Sequence, residues 1–343
     1  MKRTRRIRND ESGVASTVGT IMALLVFLTF MSLIVNQYVP VWMKDSEAAH
    51  MSSAFGSFGS FKGDVDLQML AAQMAQNAGV HYIPITAFTP VTLGVDGIPI
   101  FSSPTLGSLE SLPDQGPFTT QLTYSIRGSP TRVNESSMGR IILDVLNRYY
   151  IHQTVVYENG AVIRWQNDGQ AVRAFPTFEV DVLNDTVQLS WTHIGLFGTG
   201  SVAGTTTEGI HSKLLGVDRQ DYTSVTSDVY INATTPYGVA WIGFFNKTLG
   251  DAFRIDAGRF KNCPSYCFSA NYLGSRVQVL SITTPYYKLY AQWKDPKQAY
   301  DINVQIYNDP NNSKPLVMPI TVVRVQHAFV NIAIAEKVAE VSI

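Results

Sequence analysis

The sequence predicts a mainly β ectodomain, built as sandwich-like antiparallel sheets with one packed amphipathic helix, on a long N-terminal transmembrane α-helix. Three observations carry that expectation. No Asp, Glu, Lys or Arg occurs between Glu11 and Lys44. From Val80 onward, apolar residues recur with a period of two in short runs punctuated by Gly and Pro. One later stretch, Gly238–Leu249, returns to a helical period and places Ala240, Trp241, Phe244, Phe245 and Leu249 on one face.

The centre of the uncharged stretch, Val18 to Val35, is apolar almost throughout. A helix of about 20 residues rising ~1.5 Å each crosses a bilayer core, so residues 14–43 are expected to lie in membrane lipid. Lys2, Arg3, Arg5, Arg6 and Arg8 precede the span, and Lys44, Asp45 and Glu47 follow it. The basic flank is expected to stay cytoplasmic, which puts the C-terminal bulk outside the cell. Thr20, Thr29 and Ser32 can return hydrogen bonds to their own helix, so they do not oppose burial in lipid. Pro40 is expected to bend or end the helix near the outer interface, where Tyr38 and Trp42 suit an aromatic belt.

Residues 44–79 read as a helical stalk or linker. Leu67, Leu70, Ala71 and Met74 form a helical stripe, and Gly56-Ser-Phe-Gly-Ser-Phe61 interrupts the pattern, its repeated Phe either packing on the ectodomain or marking a flexible joint at the membrane. Residues 80–343 form the β-rich domain, as one unit or two. Ile83–Ile85, Val91–Leu93 and Ile98–Phe101 are short extended pieces or turns. Leu106–Arg132 reads as loops with one strand near Gln121–Ile126. The clearest hairpin joins Tyr149–Tyr157 to Ala161–Gln166 through Asn159-Gly160, a pair suited to a type I′ turn. Val180–Val182 and Val187–Ile194 alternate as half-buried strands do. Further strands are expected at Thr205–Leu214, Tyr222–Ile231, Arg276–Ile282, Tyr286–Trp293, Tyr300–Tyr307 and Leu316–Val325, with a strand or short helix after His327.

Composition narrows the function. The 45% hydrophobic and 15% charged fractions suit a folded head on one span, not a disordered chain. The net charge is −1, and only the first residues are strongly basic, so nucleic acid is not an expected partner. The two cysteines sit in Cys263-Pro-Ser-Tyr-Cys267. Outside the cell a short-loop disulfide is favoured, with a metal half-site or two free thiols as alternatives. Asn-x-Ser/Thr occurs at Asn134, Asn184, Asn232, Asn246 and Asn311, which permits N-glycosylation of an exported surface.

Asp10-Glu11-Ser12-Gly13 directly precedes Val14-Ala15-Ser16-Thr17-Val18-Gly19. An ordinary secretory signal is cut after its apolar region, whereas here the small residue comes before it. The arrangement resembles the class III signal of archaeal type IV pilins. That resemblance implies cleavage between Gly13 and Val14 by a prepilin-type peptidase, which removes a basic leader of residues 1–13 and leaves the apolar helix on the mature chain. Ser12 stands where many such signals carry a charge, and Val18 stands where bacterial pilins carry glutamate. A plain signal anchor is the other reading. The runs Gln153-x-x-x-Tyr157-Glu158-Asn-Gly-Ala-Val-Ile163, with Gln166, and Leu196-Phe-Gly-Thr-Gly-Ser-Val-Ala-Gly204 resemble archaeal surface proteins with a pilin-like N-terminus and a β-rich ectodomain. These are turn and strand signatures, so they imply a surface location and no chemistry.

No catalytic, cofactor-binding or metal-binding residues are selected. Gly198–Ala203 partly matches a dinucleotide fingerprint but lies among strands with no crossover helix, and a glycine-rich turn is favoured. None of His50, His81, His152, His193, His211 and His327 has ligand spacing; His193 and His327 read as satisfied sheet residues. No Gly-x-Ser-x-Gly elbow occurs. Trp165, Trp191, Trp293, Tyr286 and Tyr287 can stack on sugars if exposed, although Trp in strands is more often core. The expectation is a pilin-like minor, tip or adhesive subunit that assembles with itself or with other pilin-like subunits, with cell-envelope glycans as candidate partners. A single-pass anchored binding domain that does not polymerise is the alternative, and an anchored enzyme is the third reading.

Overall fold

The computed structural model describes residues 11–255, 267–274, 276–311, 313 and 317–334, with side chains from residue 16 onward. From Glu11 to Asn77 the backbone is one continuous helix. Its segments α1 (Glu11–Leu33) and α2 (Val39–Asn77) are joined by a π-helical turn over Ile34–Tyr38. Pro40 accounts for the turn. Proline has no N–H and its ring crowds the carbonyl four residues back. The wider turn lets the Val39 N–H reach the Ile34 carbonyl instead, so the helix does not end at Pro40. The polar side chains of α1 bond within the helix: Thr20 donates to the Ser16 carbonyl at 2.8 Å and Thr29 to the Val26 carbonyl at 2.8 Å. The Asn36 amide likewise donates to the Ser32 carbonyl at 2.8 Å.

Exposure changes along the rod. Residues 16–30 are all exposed, and burial begins at Val39. From there Val39, Met43, Glu47, His50, Ala54, Phe58, Phe61, Val65, Gln68 and Ala72 are buried at spacings of three and four. This burial bears on four expectations for the rod. Val39 and Met43 pack against the head, so the free apolar length stops near Tyr38 and not at 43. Residues 44–77 are neither linker nor bare stalk; α2 is a core helix. The Gly-Ser-Phe repeat does not interrupt it, because Gly56 and Gly59 face open space while Phe58 and Phe61 are fully buried. The stripe assigned to packing is also the wrong one. Leu67, Leu70 and Met74 are 65%, 51% and 63% exposed, whereas Val65, Gln68, Met69 and Ala72 face the core. Both faces have helical spacing. The polar Gln68 made the true face look like the wet one.

Among the described residues eighteen strands form three sheets. The first has the order Thr86–Thr92, Thr207–Thr223, Ile320–Ile334, Thr186–Phe197, Phe178–Leu183. The second runs Gly200–Gly204, Gly107–Leu112, Arg140–Val145, Gln153–Glu158, Ala161–Gln166, Gly169–Ala174. The third runs Cys267–Leu273, Arg276–Thr283, Tyr287–Lys294, Ala299–Ile306, Val229–Thr235, Phe118–Ile126, Ser129–Ser137. Pairing is antiparallel except between Thr186–Phe197 and Ile320–Ile334, which are parallel. Leu106–Arg132, expected as loops with one strand, instead contributes to three strands. Its Ser- and Thr-rich runs alternate buried and half-buried once neighbours cover them, which shows that strand propensity yields to context. Thr207–Thr223 is one long strand with an irregularity between Leu214 and Gly216, where two pieces were expected.

The head has two apolar cores. One holds α2 between the first and second sheets, with Phe61 edge-on to Tyr157 at 4.8 Å. The other packs the third sheet against α3 (Gly238–Ala252), whose Trp241, Phe245 and Leu249 are fully buried, as the helical period predicted. Strand Gln153–Glu158 is buried on both faces and feeds both cores, Val155 and Tyr157 into one and Val156 into the other. Strands Thr186–Phe197 and Ile320–Ile334 run through both. Asn159 (φ 44°) and Gly160 (φ 81°) make the left-handed turn expected of the central hairpin.

Phe58→Ala is expected to destabilise the head by about 3–5 kcal/mol, as a fully buried aromatic does. Gly56→Ala is expected to stabilise it by up to about 1 kcal/mol, since a methyl there meets nothing and glycine is costly inside a helix. Thermal melting of the full chain in detergent, followed by near-ultraviolet circular dichroism, checks both. A flexible stalk would leave the Phe58→Ala melting point unchanged.

Candidate functional site

Chemistry-bearing side chains collect in three places. The first joins rod to head. Glu47 on α2 is fully buried. Its Oε1 accepts from Thr105 Oγ1 at 2.6 Å and the Arg148 N–H at 3.1 Å. Its Oε2 accepts from the N–H groups of Tyr149 at 2.8 Å and Tyr150 at 2.6 Å. Three successive amides thus form a nest around a carboxylate, a geometry suited to an anion. Further along the same face, His50 bonds the Thr92 carbonyl at 2.9 Å, Asp64 accepts from Thr89 at 2.9 Å, and the Gln68 carbonyl accepts from the Leu214 N–H at 2.7 Å. Four polar side chains therefore fix the register of α2, Glu47 on loops of the second sheet and His50, Asp64 and Gln68 on strands of the first. Only the tertiary fold marks Glu47; beside Lys44 and Asp45 it reads as a solvated charge.

The second place lies where the two cores meet. His193 is fully buried and bridges Thr120 through Nε2 and Ser137 through Nδ1, each at 2.9 Å. Its ring stacks on His327 at 4.9 Å, and His327 Nε2 lies 3.2 Å from Glu135 Oε2. Burial, and next the neighbouring His327, lowers His193 to about 3. Both rings follow the expectation of partnered sheet residues. Beside them the fully buried Glu158 accepts from Thr235 Oγ1 at 2.8 Å and Trp241 Nε1 at 2.9 Å, with Arg140 3.8 Å away. Burial raises the Glu158 carboxyl above its ordinary range, against the opposing pull of Arg140 and of these bonds. Gly116 (φ +69°) passes so close that a Cβ there would strike the carboxylate. The Glu158–Trp241 bond pins α3 to the end of the central hairpin.

The third place is open to solvent. A cleft of about 730 Å³ lies between the second sheet's Gln166–Gly169 turn and the outer strands of the third sheet. Pro236, Tyr237 and Val239, where α3 begins, line it as well. Trp165 stands on one wall, edge-on to His152 at 6.0 Å. Trp293 and Tyr300 stand on the other, edge to face at 4.9 Å. Arg276 stacks 4.3 Å over Trp293, whose indole N–H donates to Asp295 at 2.8 Å. Of the five aromatics considered for sugar stacking, Trp165 and Trp293 meet here, Trp191 and Tyr287 are core, and Tyr286 stacks on Phe253 at 4.8 Å. The sequence could not single out Tyr272 or Tyr300, because the two sheets meet only in the fold.

The remaining candidate positions are scattered. Gly13 and Val14 lie in the first turn of α1. Cys263 lies outside the described residues, and Cys267 opens its strand. Asn134, Asn184 and Asn311 are exposed, whereas Asn232 and Asn246 are half-buried and accept bonds from Asn303 at 2.7 Å and Tyr287 at 3.1 Å. Gly198 (φ +99°) turns into strand Gly200–Gly204 in place of a dinucleotide loop. Among the described residues no group of three or more His, Cys, Asp or Glu is arranged to hold a metal ion. No family model, no curated protein and no solved structure matches the chain.

Glu47→Gln turns an amide N–H₂ toward donors and is expected to cost at least about 2 kcal/mol, read as a lower melting point of the full chain. Acid should act through His193. The unfolded chain binds its proton below pH ~6.5 while the folded chain refuses it until about 3. Stability attributable to His193 is therefore complete above pH ~6.5 and falls by about 1.4 kcal/mol per pH unit on acidification toward 3. The raised Glu158 works the other way, stabilising at low pH. The difference between wild type and His193→Gln across pH 5–7 isolates the histidine, and the wild type should show the steeper loss toward pH 5.

Proposed function

We propose that the protein is a surface subunit of the archaeal type IV pilin kind, a minor, tip or adhesive one, anchored by its N-terminal helix. The observation that supports this reading most is the change of surroundings at Val39. One continuous helix is bare and apolar before that residue and buried in a β-rich head after it. The bare part, residues 16–38, spans about 34 Å at ~1.5 Å per residue, close to the ~30 Å hydrocarbon core of a bilayer. A soluble core helix would be covered along its whole length.

In this reading the basic leader holds the N-terminus in the cytoplasm, and a prepilin-type peptidase cuts between Gly13 and Val14. The helix then leaves lipid for a bundle of its copies or of related subunits. That transfer costs little because both surroundings are apolar, and close packing supplies the favourable term. A head-to-tail contact that does not close produces a filament. The exposed Leu67, Leu70 and Met74, together with Gly56 and Gly59 on the uncovered side of α2, offer apolar and small surface beyond the membrane for such packing. A single-pass anchored binding domain that stays in the membrane is the second reading, favoured by the aromatic cleft, which needs no assembly.

Mass spectrometry and N-terminal sequencing of the protein purified from its own membranes separate the two. A mature chain starting at Val14, and accumulation of precursor in Gly13→Val, are the expected results. An intact Met1 in the wild type removes the pilin reading and leaves the anchored one. Glycopeptide analysis of the same material is expected to find any N-glycan on exposed Asn134, Asn184 or Asn311 before half-buried Asn232 or Asn246.

A further inference from the structure

We infer that the cleft between the second and third sheets is a binding site for a glycan chain. The claim goes beyond the anchoring reading and does not rest on it.

A pyranose ring has two chemistries. Its faces present C–H groups that pack against aromatic planes, and its rim presents hydroxyls that pair with amides, carboxylates and guanidinium groups. The cleft offers both. Trp165 and Trp293 line opposite walls, and the 63%-exposed Tyr272 stands on the rim. Trp293 is held rigidly, with its N–H on Asp295, Tyr300 against its edge and Arg276 over its face. A platform fixed in this way loses little conformational freedom on binding. Between the walls the Asn167 amide is exposed and makes no hydrogen bond among the described residues. Arg276 has no acidic partner among them. The volume of about 730 Å³ falls within the ~300–1,000 Å³ of small-molecule sites.

The same features disfavour other occupants. A nucleic acid needs basic surface along its phosphates, and the described lining of the cleft supplies one arginine beside one carboxylate, Asp168. An apolar helix would need a continuous greasy groove, and this one is broken by Gln166, Asn167, Asp168 and Gln170. Among the described lining residues Asp168 is the single carboxylate, so the pair of acids that glycoside cleavage uses is not assembled there. The arrangement holds a sugar chain without cutting it.

The test is affinity electrophoresis of the full chain in mild detergent through native gels containing dextran, mannan, xylan or polygalacturonate. Retardation by at least one of the four is expected. Trp165→Ala and Trp293→Ala should each weaken it at least tenfold, and Trp293→Phe, which keeps a flat face, should retain most of it. Melting points are measured in parallel. If a tryptophan variant unfolds, Asn167→Ala, which removes an exposed amide, replaces it and should weaken retardation at least threefold. Free migration of the wild type in all four gels overturns the proposal. So does retardation that every folded variant keeps. The mass of the N-terminus is measured separately, so failure here leaves the anchoring reading standing.

Discussion

A single helix in this protein has to satisfy two surroundings, and Glu47 stands where one gives way to the other. Before Val39, more than two turns earlier, the rod is bare and apolar. At Glu47 a carboxylate is taken fully out of solvent and surrounded by three backbone amides and a threonine. Burying an ion is expensive unless its bonds are supplied. The loop at Arg148–Tyr150 supplies them only when helix and head meet in one register. His50, Asp64 and Gln68 repeat the same device along the helix. A greasy stripe alone could slide; four directional contacts cannot.

The head follows from that fixed rod. With α2 as a spine, the first and second sheets close over it and form one core, and the third sheet closes over α3 to form the other. The seam is polar: His193 with Thr120 and Ser137, Glu158 with Thr235 and Trp241. Groups of this kind add little net stability over an apolar filling, but they admit few alternative arrangements. Beside the seam the second and third sheets diverge, and their divergence opens the aromatic cleft.

Much of this was legible in the residues. The bare span, the Asn159-Gly160 hairpin, the aromatic helix at Gly238–Ala252 and most later strands are local patterns, and local patterns survive folding. Other features are long-range. The repeat around Phe58 reads in sequence either as a packing surface or as a joint, because glycine is a poor helix former; packing of Phe58 and Phe61 outweighs propensity. The stripe at Leu67, Leu70 and Met74 was chosen for its hydrophobicity, when the covered face contains Gln68 with partners nearly 150 residues away. Pro40 signals an end only if an α-helix cannot lengthen its turn, and here it does. The cleft is half visible in sequence: Trp165 and Trp293 stand out as aromatics, but no spacing in the chain says that they line one cleft.

The parallel pairing of Thr186–Phe197 with Ile320–Ile334 has a consequence for how the molecule is made. The later strand lies between Thr186–Phe197 and Thr207–Thr223, in the middle of the first sheet. Until it arrives, both neighbours present unpaired edges and the cover over α2 is incomplete. Such distant pairings are slow to form. A chain made from its N-terminus would therefore hold this sheet half built until Ile320–Ile334, more than a hundred residues after Thr186–Phe197, has been made. An open sheet edge invites aggregation, so a chaperone would be of most use to this protein in that interval.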